Sequence, residues 1–208
     1  MTATQRPAPS GLPLYHRLLG DAFNALPPPV RELHALDGEI VARGRATVVR
    51  GRGLLARLIA KGIGFPHEGD DVPVEVRIRA RDGGEVWRRN FAGKSFETRQ
   101  SEGRGRFNRL LCERFGPAVF GMALVIDGGC MRLVLRRWSL FGLPLPVSWA
   151  PFGDSYEHAE DGRFNFHVEI GHMLTGPVVH YRGWLVPARA HSDNARQAAS
   201  DPALVGSV

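Results

Sequence analysis

Residues 74–81 alternate strictly between apolar and charged side chains, in the order VEVRIRAR. Because successive side chains of a β-strand point to opposite faces, this pattern predicts a strand with one buried face and one exposed face. The Asp-Gly-Gly sequence at 82–84 can adopt the positive φ angles of a tight hairpin turn. Val86–Phe91 then returns as a second strand, and Ser95–Gln100 follows as a third. This stretch therefore predicts an antiparallel sheet.

Short runs of the same kind, separated by glycine-containing turns, recur along the rest of the chain. Asp-Gly pairs at 127–128 and 161–162 predict two further hairpins, and residues 163–170 alternate as regularly as the first run. Counting such runs gives about eight to ten antiparallel strands. Because a sheet of this size curls or closes, we predict a mainly β (α+β) fold, a strongly curved or closed barrel-like meander. An open sheet that grips a long C-terminal helix is the alternative, but the chain ends in a strand and a polar segment.

The first third of the chain is predicted to be helical, apart from one strand at 39–50. Apolar residues recur at helical spacing between Leu14 and Leu26, and three prolines end that helix. A further helix is predicted over 54–65, where an apolar stripe lies beside two basic residues. We expect this stripe to pack on the core, and binding to an anionic membrane is the alternative. The side chains concerned are Leu54, Leu55, Leu58 and Ile59, with Arg57 and Lys61.

These elements predict one domain with a tail at each end. Residues 1–13 are rich in proline, serine and glycine and are expected to be a flexible tail. Residues 14–187 form the single domain, with its helical section at 14–65 and its β-meander at 72–187. Residues 188–208 are polar and alanine-rich, and we expect a disordered tail there.

Composition favours a basic cytoplasmic protein. The formal net charge is +6. Cys112 and Cys130 form neither a metal-binding spacing nor a disulfide framework, which favours a reducing compartment. The N-terminus lacks a secretory signal, and no window is long and apolar enough to predict a transmembrane segment.

The sequence assigns no catalytic residue, no metal and no cofactor. It contains no phosphate-binding glycine loop, no GxSxG sequence and no HExxH sequence. His167 and Glu169 share a strand face near His158 and His172, but solvent exposure explains that face as well as metal binding does. Because no recognised motif accompanies the positive charge, nucleic acid is not an expected partner.

Two strands carry arginine on the same face as aromatic residues. Within 86–91 and 178–186 the residues that share a face are Trp87, Arg89 and Phe91, and His180, Arg182 and Trp184. If both faces line the inside of a curved sheet, they form a largely apolar cavity with a few polar groups, which is typical of a small-molecule site. The alternative is that both faces point to solvent, with the arginine stems lying over the tryptophan rings.

Several blocks of the sequence carry a resemblance to a known family. They include LYHRLLGDAFNALPPPVRELH from Leu14, GRATVVRGRGLLARLIAKGIGFP from Gly44, FGLPLP from Phe141 and DGRFNFHVEI from Asp161. In this order they resemble a bacterial family, domain of unknown function 4166 (DUF4166). The resemblance implies a module of small-molecule metabolism, since members look like stand-alone proteins or C-terminal partners of nicotinamide-dependent dehydrogenase or epimerase-like domains. The chain lacks a dinucleotide fingerprint, and the family offers no agreed catalytic residues.

Together these observations predict a non-catalytic domain that binds a small-molecule or lipid-like ligand with an anionic group. One alternative is an accessory or interaction module of a dehydrogenase-like or epimerase-like protein. Another is an enzyme that uses the same cavity, with His180 or Tyr181 as the acid–base group. We expect a binding domain rather than an enzyme, because no catalytic motif supports the latter.

Overall fold

The computed structural model describes residues 11–36 and 38–188. The flexible tail predicted for residues 1–13 and the disordered tail predicted for 188–208 lie almost wholly outside this part of the chain. Three α-helices are present in it, α1 (Leu14–Leu19), α2 (Pro28–His34) and α3 (Leu54–Ile63). Short 3-10 turns occur at Gly20–Ala25, Gly105–Phe107 and Val147–Trp149.

The described strands form one antiparallel sheet. They are β1 (Glu39–Arg50), β2 (Gly69–Arg81), β3 (Gly84–Phe91), β4 (Lys94–Glu102), β5 (Leu111–Phe115), β6 (Ala118–Asp127), β7 (Cys130–Leu140), β8 (Leu143–Leu145), β9 (Ser155–Glu160), β10 (Arg163–His172) and β11 (Gly176–Pro187). Sequential strands pair from β1 to β7, β7 pairs with β9, and β11 pairs back with β1. Ten strands therefore close into a barrel, and β8 is added at the edge of β7. The predicted closed antiparallel sheet is confirmed.

The tight turns explain why the meander folds in this order. Asp82 and Gly83 have φ values of 51° and 77°, and Asp161 and Gly162 have 51° and 70°. Positive φ at both central residues is the type I′ geometry, whose twist matches that of the strands it joins. Asp and Gly tolerate this conformation better than most residues, so these two Asp-Gly pairs fix their hairpins, whereas Gly128 and Gly129 have the positive φ angles of the β6–β7 turn.

The register separates the two faces of the wall as the alternation predicts. Ile78 lies opposite Ile40 and is fully buried inside the barrel. On the outside, Arg77 and Arg79 both donate to the carboxylate of Glu39. These outer ion pairs are largely exposed, so they contribute little stability, and the inner apolar face holds the wall together.

The first two helices close one end of the barrel. Leu14 and Tyr15 of α1 and Val30, Leu33 and His34 of α2 are buried there. We call this layer the helical plug. It is anchored to the barrel by hydrogen bonds as well as by apolar contacts, and those bonds lead to the candidate site.

The third helix packs at the opposite end of the barrel with a different face from the predicted one. Ala56 and Ala60 are its buried residues, whereas Leu54 and Leu58 are 80% and 66% exposed. The expectation that the leucine stripe packs on the core is therefore wrong. The helix lies against β11, and small alanine side chains allow that close approach.

Candidate functional site

Trp87, Arg89 and Phe91 lie on the inner face of β3, as the conditional prediction requires. They stand opposite Ile78, Val76 and Val74 of β2, respectively, all of which are buried. The Trp87 and Phe91 rings are almost inaccessible to solvent. The side chain of Arg89 retains 16% of its exposure, so a cation stands inside the barrel.

Arg89 is held by hydrogen bonds and by aromatic rings. Its Nη1 donates to Oγ1 of Thr98 at 2.8 Å, and its Nη2 donates to Oε1 of Glu113 at 3.4 Å. The guanidinium carbon lies 5.0 Å from the ring centre of Trp87 and 5.7 Å from that of Phe96. Such ring contacts stabilise a cation away from bulk water, so they and the hydrogen bonds together hold the guanidinium in position.

A hydrogen-bonded chain connects this arginine to the helical plug. Glu113 also accepts from Nε2 of Gln100 at 3.3 Å, and the Tyr15 hydroxyl donates to Oε1 of Gln100 at 2.9 Å. Burial, more than the nearby carboxylates, raises the pKa of Tyr15 well above its ordinary value, so its hydroxyl keeps its proton. The plug therefore positions Gln100, and Gln100 helps to position the carboxylate that faces Arg89.

A second buried polar group lies beside Trp87. Nε1 of Trp87 donates to Oε2 of Glu85 at 2.9 Å. Oε1 of Glu85 has no hydrogen-bond partner within residues 11–36 and 38–188. Burial is the main reason that the pKa of Glu85 is raised, because a carboxylate loses its hydration there.

We expect Glu85→Gln to change how stability depends on pH. A raised pKa in the folded state stabilises the fold below the ordinary range of a free glutamate, and this contribution is lost as the pH rises through the folded-state pKa. Glutamine keeps an oxygen for Trp87 but does not titrate, so the stability of the variant relative to the wild type should increase with pH. Urea unfolding over a pH series measures this difference. A difference that is constant, or that grows towards acid pH, contradicts the prediction.

The inner wall on β6 and β7 is apolar and partly buried. Leu124 lies opposite Leu133, and Met122 lies opposite Leu135. By register the leucines face inward, yet they are only partly buried. Barrels of about eight strands are just filled by their own side chains or hold one small ligand, and a tenth strand widens the interior. The inner wall is therefore suited to an apolar ligand body.

Among the neighbouring strands of the closed barrel, β7 and β9 share the fewest paired residues. Only the pairs Met131–Glu157 and Arg132–Tyr156 join these strands in the described residues. Farther along β7, residues 146–154 cross the interval, with Nε1 of Trp138 donating to the carbonyl of Pro146. This interval is therefore the part of the closed wall with the fewest backbone pairs.

His180, Arg182 and Trp184 lie on the outside of the barrel. Their inward-facing neighbours on β11 are Tyr181 and Leu185, which are buried. The six predicted site residues are therefore divided by the wall, with three inside and three outside. The prediction that His180, Arg182 and Trp184 face the interior was wrong. The opposite face of β11 carries the more apolar side chains, and that face packs into the core.

Arg182 and Trp184 line a surface groove with a volume of about 580 Å³, and His180 lies beside His167, which also lines it. Nε2 of His180 lies 3.4 Å from Nδ1 of His167, and the Tyr156 ring stacks on His167 at 4.6 Å. Partial burial, followed by the nearby His180, lowers the pKa of His167. Arg182 is exposed at this groove, and the guanidinium of Arg163 covers the Trp184 ring at 4.6 Å.

The two acid–base candidates do not share a site. His180 lies on the outside of the barrel, and Tyr181 points into the core. Burial raises the pKa of Tyr181 to about 12, which opposes proton transfer at neutral pH.

Within the described ranges, no group of three or more His, Cys, Asp or Glu side chains is placed to hold a metal ion. None of the helices in those ranges is long and apolar enough to cross a membrane.

Sequence reasoning missed the polar network around Arg89, in which Thr98 and Glu113 accept from Arg89 and Gln100 donates to Glu113. Thr98 and Gln100 alternate with exposed residues on β4, and both follow Phe96 on the same face. Their position on the same strand face as Phe96 could have identified them, because polar residues on a buried face require hydrogen-bond partners. Glu113 could not be assigned in this way, since its contact with Arg89 depends on the pairing of β4 with β5.

Comparison with known proteins gives a family but no activity. A family model described as Domain of unknown function (DUF4166) matches residues 26–185. No curated protein matches the chain. The crystal structure of Rv2717c from M. tuberculosis is similar, with a TM-score of 0.40 and 13% sequence identity over 79% of this chain and 99% of that chain.

Proposed function

We propose that this chain, which belongs to the DUF4166 family, binds a lipid-like ligand with an anionic group inside its barrel and catalyses no reaction on it. The observation that carries the proposal is the placement of Arg89 on the inner wall of a barrel that also carries partly buried apolar side chains. A buried arginine requires an anionic partner, and the apolar wall suits a hydrocarbon body.

The guanidinium has donors left for a ligand. Its hydrogen bonds use one N–H of Nη1 and one of Nη2, so Nε–H and the second hydrogen of each Nη are free of hydrogen bonds within residues 11–36 and 38–188. Its contact with Glu113 is long and involves a single oxygen, unlike the short two-point contact that arginine makes with an optimal carboxylate. A ligand carboxylate or phosphate would complete that geometry.

Arg89→Gln tests this role directly. We expect the dissociation constant of a fluorescent fatty acid such as cis-parinaric acid to rise at least about tenfold, because a hydrogen bond to a charged group is worth about 1.5–3 kcal/mol. The measurement is a fluorescence titration after delipidation. Gln100 remains as a donor to Glu113 in this variant, so the carboxylate is not left without a partner.

The matched control is Arg182→Gln. Arg182 also lies two residues from a tryptophan on a strand, but it is on the outside of the wall, so its replacement should leave the dissociation constant unchanged. Circular dichroism confirms that both variants are folded. Equal affinities of wild type and Arg89→Gln, or an absence of saturable binding to the wild type, would refute the proposal.

The other predicted functions remain alternatives. A dehydrogenase-like partner protein would require a docking surface, and an enzyme would require a proton-transferring group in the interior. Tyr181 is the interior candidate, but its raised pKa disfavours it. If a turnover is found, unchanged rates in Tyr181→Phe and His180→Ala would exclude both residues from it.

A further inference from the structure

The end of the barrel opposite the helical plug exposes large apolar side chains. They come from α3, from the β7–β8 turn, from the 3-10 turn at Val147–Trp149 and from the β10–β11 turn. Leu54, Phe141 and Leu174 are 80%, 78% and 75% exposed. We call this surface the apolar rim, and its principal side chains are Leu54, Leu58, Phe141, Trp149, Met173 and Leu174.

Direct contacts connect most of the segments that carry the rim. The N–H of Gly51, just before α3, donates to the carbonyl of Val178 on β11. His172, which precedes the β10–β11 turn, has Nε2 3.1 Å from the carbonyl oxygen of Trp149. Phe141 lies at the end of β7, the same end of the barrel, where its N–H donates to the carbonyl of Pro117. The exposed side chains therefore lie at the same end of the barrel, and clusters of exposed apolar side chains are sites of interaction.

The segments that supply the principal side chains of the rim carry charge of one sign, although Glu68 and Asp70 are exposed after α3. Residues 50–63, 141–153 and 172–176, which supply its principal side chains, contain no Asp or Glu. They contain the exposed cations Arg52, Arg57 and Lys61. The rim therefore combines apolar and aromatic side chains with positive charge, which matches a surface with anionic head groups above hydrocarbon.

The two described ends of the chain lie at the plug, away from the rim. Leu12 accepts from Arg17, which also donates to Gly83 in the β2–β3 turn beside the plug. The N–H of Ala188 donates to the carbonyl of Val41 near the start of β1. Neither end of the described part of the chain therefore lies next to the rim.

We propose that the apolar rim docks the barrel on the surface of an anionic lipid membrane. Leu54 and Leu58 of α3 and the Trp149 ring enter the interfacial layer, where tryptophan is favoured. Arg57 and Lys61 contact lipid phosphates. This docking does not require a ligand inside the barrel, so it is independent of the binding function proposed above.

Vesicle flotation tests the docking. We expect the wild type to float with vesicles of equimolar phosphatidylcholine and phosphatidylglycerol, to bind pure phosphatidylcholine vesicles weakly, and to be released by salt. Arg57→Glu/Lys61→Glu should lower the partition coefficient at least about tenfold, because each cation near an anionic surface contributes about a factor of five. Leu54→Asp/Leu58→Asp should lower it at least as much, since both leucines are exposed and their replacement spares the core.

The matched control is Arg99→Glu/Arg114→Glu. It makes the same change of net charge at two exposed, directly paired residues on the outer wall, and its partition coefficient should stay within about twofold of the wild type. The proposal is overturned if the wild type fails to float with anionic vesicles, or if the rim variants float as well as the control. It is also overturned if light scattering shows a dimer that Leu54→Asp/Leu58→Asp dissociates while vesicle binding is absent, because a second copy then occupies the rim. Fatty-acid binding without vesicles, measured on the same variants, separates this result from the interior site.

Discussion

Replacing His34 by alanine is expected to lower the free energy of unfolding by about 3–5 kcal/mol. The ring is fully buried and stacks on Tyr15 at a centroid distance of 3.7 Å. Its Nε2 lies 2.6 Å from Oε2 of Glu157 on β9. Alanine leaves a cavity between the helical plug and the wall, and it leaves a largely buried carboxylate without its partner. Urea unfolding followed by circular dichroism measures the change.

His158→Ala is the control for this variant. His158 forms the corresponding contact with Glu160 at 3.8 Å, but on the outside of the barrel, where both side chains are more exposed. Its loss should cost at most about 1 kcal/mol, as for other exposed pairs. Similar losses for the two variants would mean that the buried contact does not hold the plug in place.

Phe91→Ala is expected to be similarly severe, with a loss of about 3–5 kcal/mol. The ring is 2% exposed and contacts Tyr181 and Phe96, with centroid distances of 5.3 Å and 6.2 Å. It therefore joins two distant parts of the wall, β3 and β11, across the interior. Thermal unfolding and urea unfolding both report the loss.

Trp184→Ala removes a larger ring from the outer wall and serves as the comparison for Phe91→Ala. Trp184 is only half-buried and is covered by Arg163, so we expect a loss of about 1 kcal/mol or less. If Phe91→Ala lowered the free energy of unfolding as little as Trp184→Ala, the Phe91 ring would not contribute to the core. Its role would then be better explained as a direct contact with the ligand.

The parts of the fold that depend on neighbouring residues could be predicted from the sequence. Alternation assigns the inner face of β2 and of β10 without ambiguity, because one face of each carries only apolar residues. The Asp-Gly pairs then fix the hairpins. Closure was also predictable, since a long antiparallel meander without a covering helix must remove its edges.

The candidate site was predictable only in part. On β3 the aromatic residues occupy a single face, so the inward direction of Arg89 could be inferred. On β11 both faces carry a ring, Tyr181 on one and Trp184 on the other, and the choice depends on packing with β1. Gly183 faces inward opposite Ala46, where small residues permit close approach, and this long-range pairing leaves no local signal. The burial of His34 likewise depends on how α2 meets β9.

Strand β8 leaves one edge outside the closed barrel, and its sequence protects that edge. Phe141 and Gly142 form a two-residue turn with positive φ at both positions, so Leu143 directs its N–H towards β7. By alternation the next N–H that would point outward belongs to position 144, and the one after that to 146. Both are proline, which has no N–H to donate. A strand of another molecule therefore finds no donors along this edge, and the barrel is guarded against edge-to-edge aggregation.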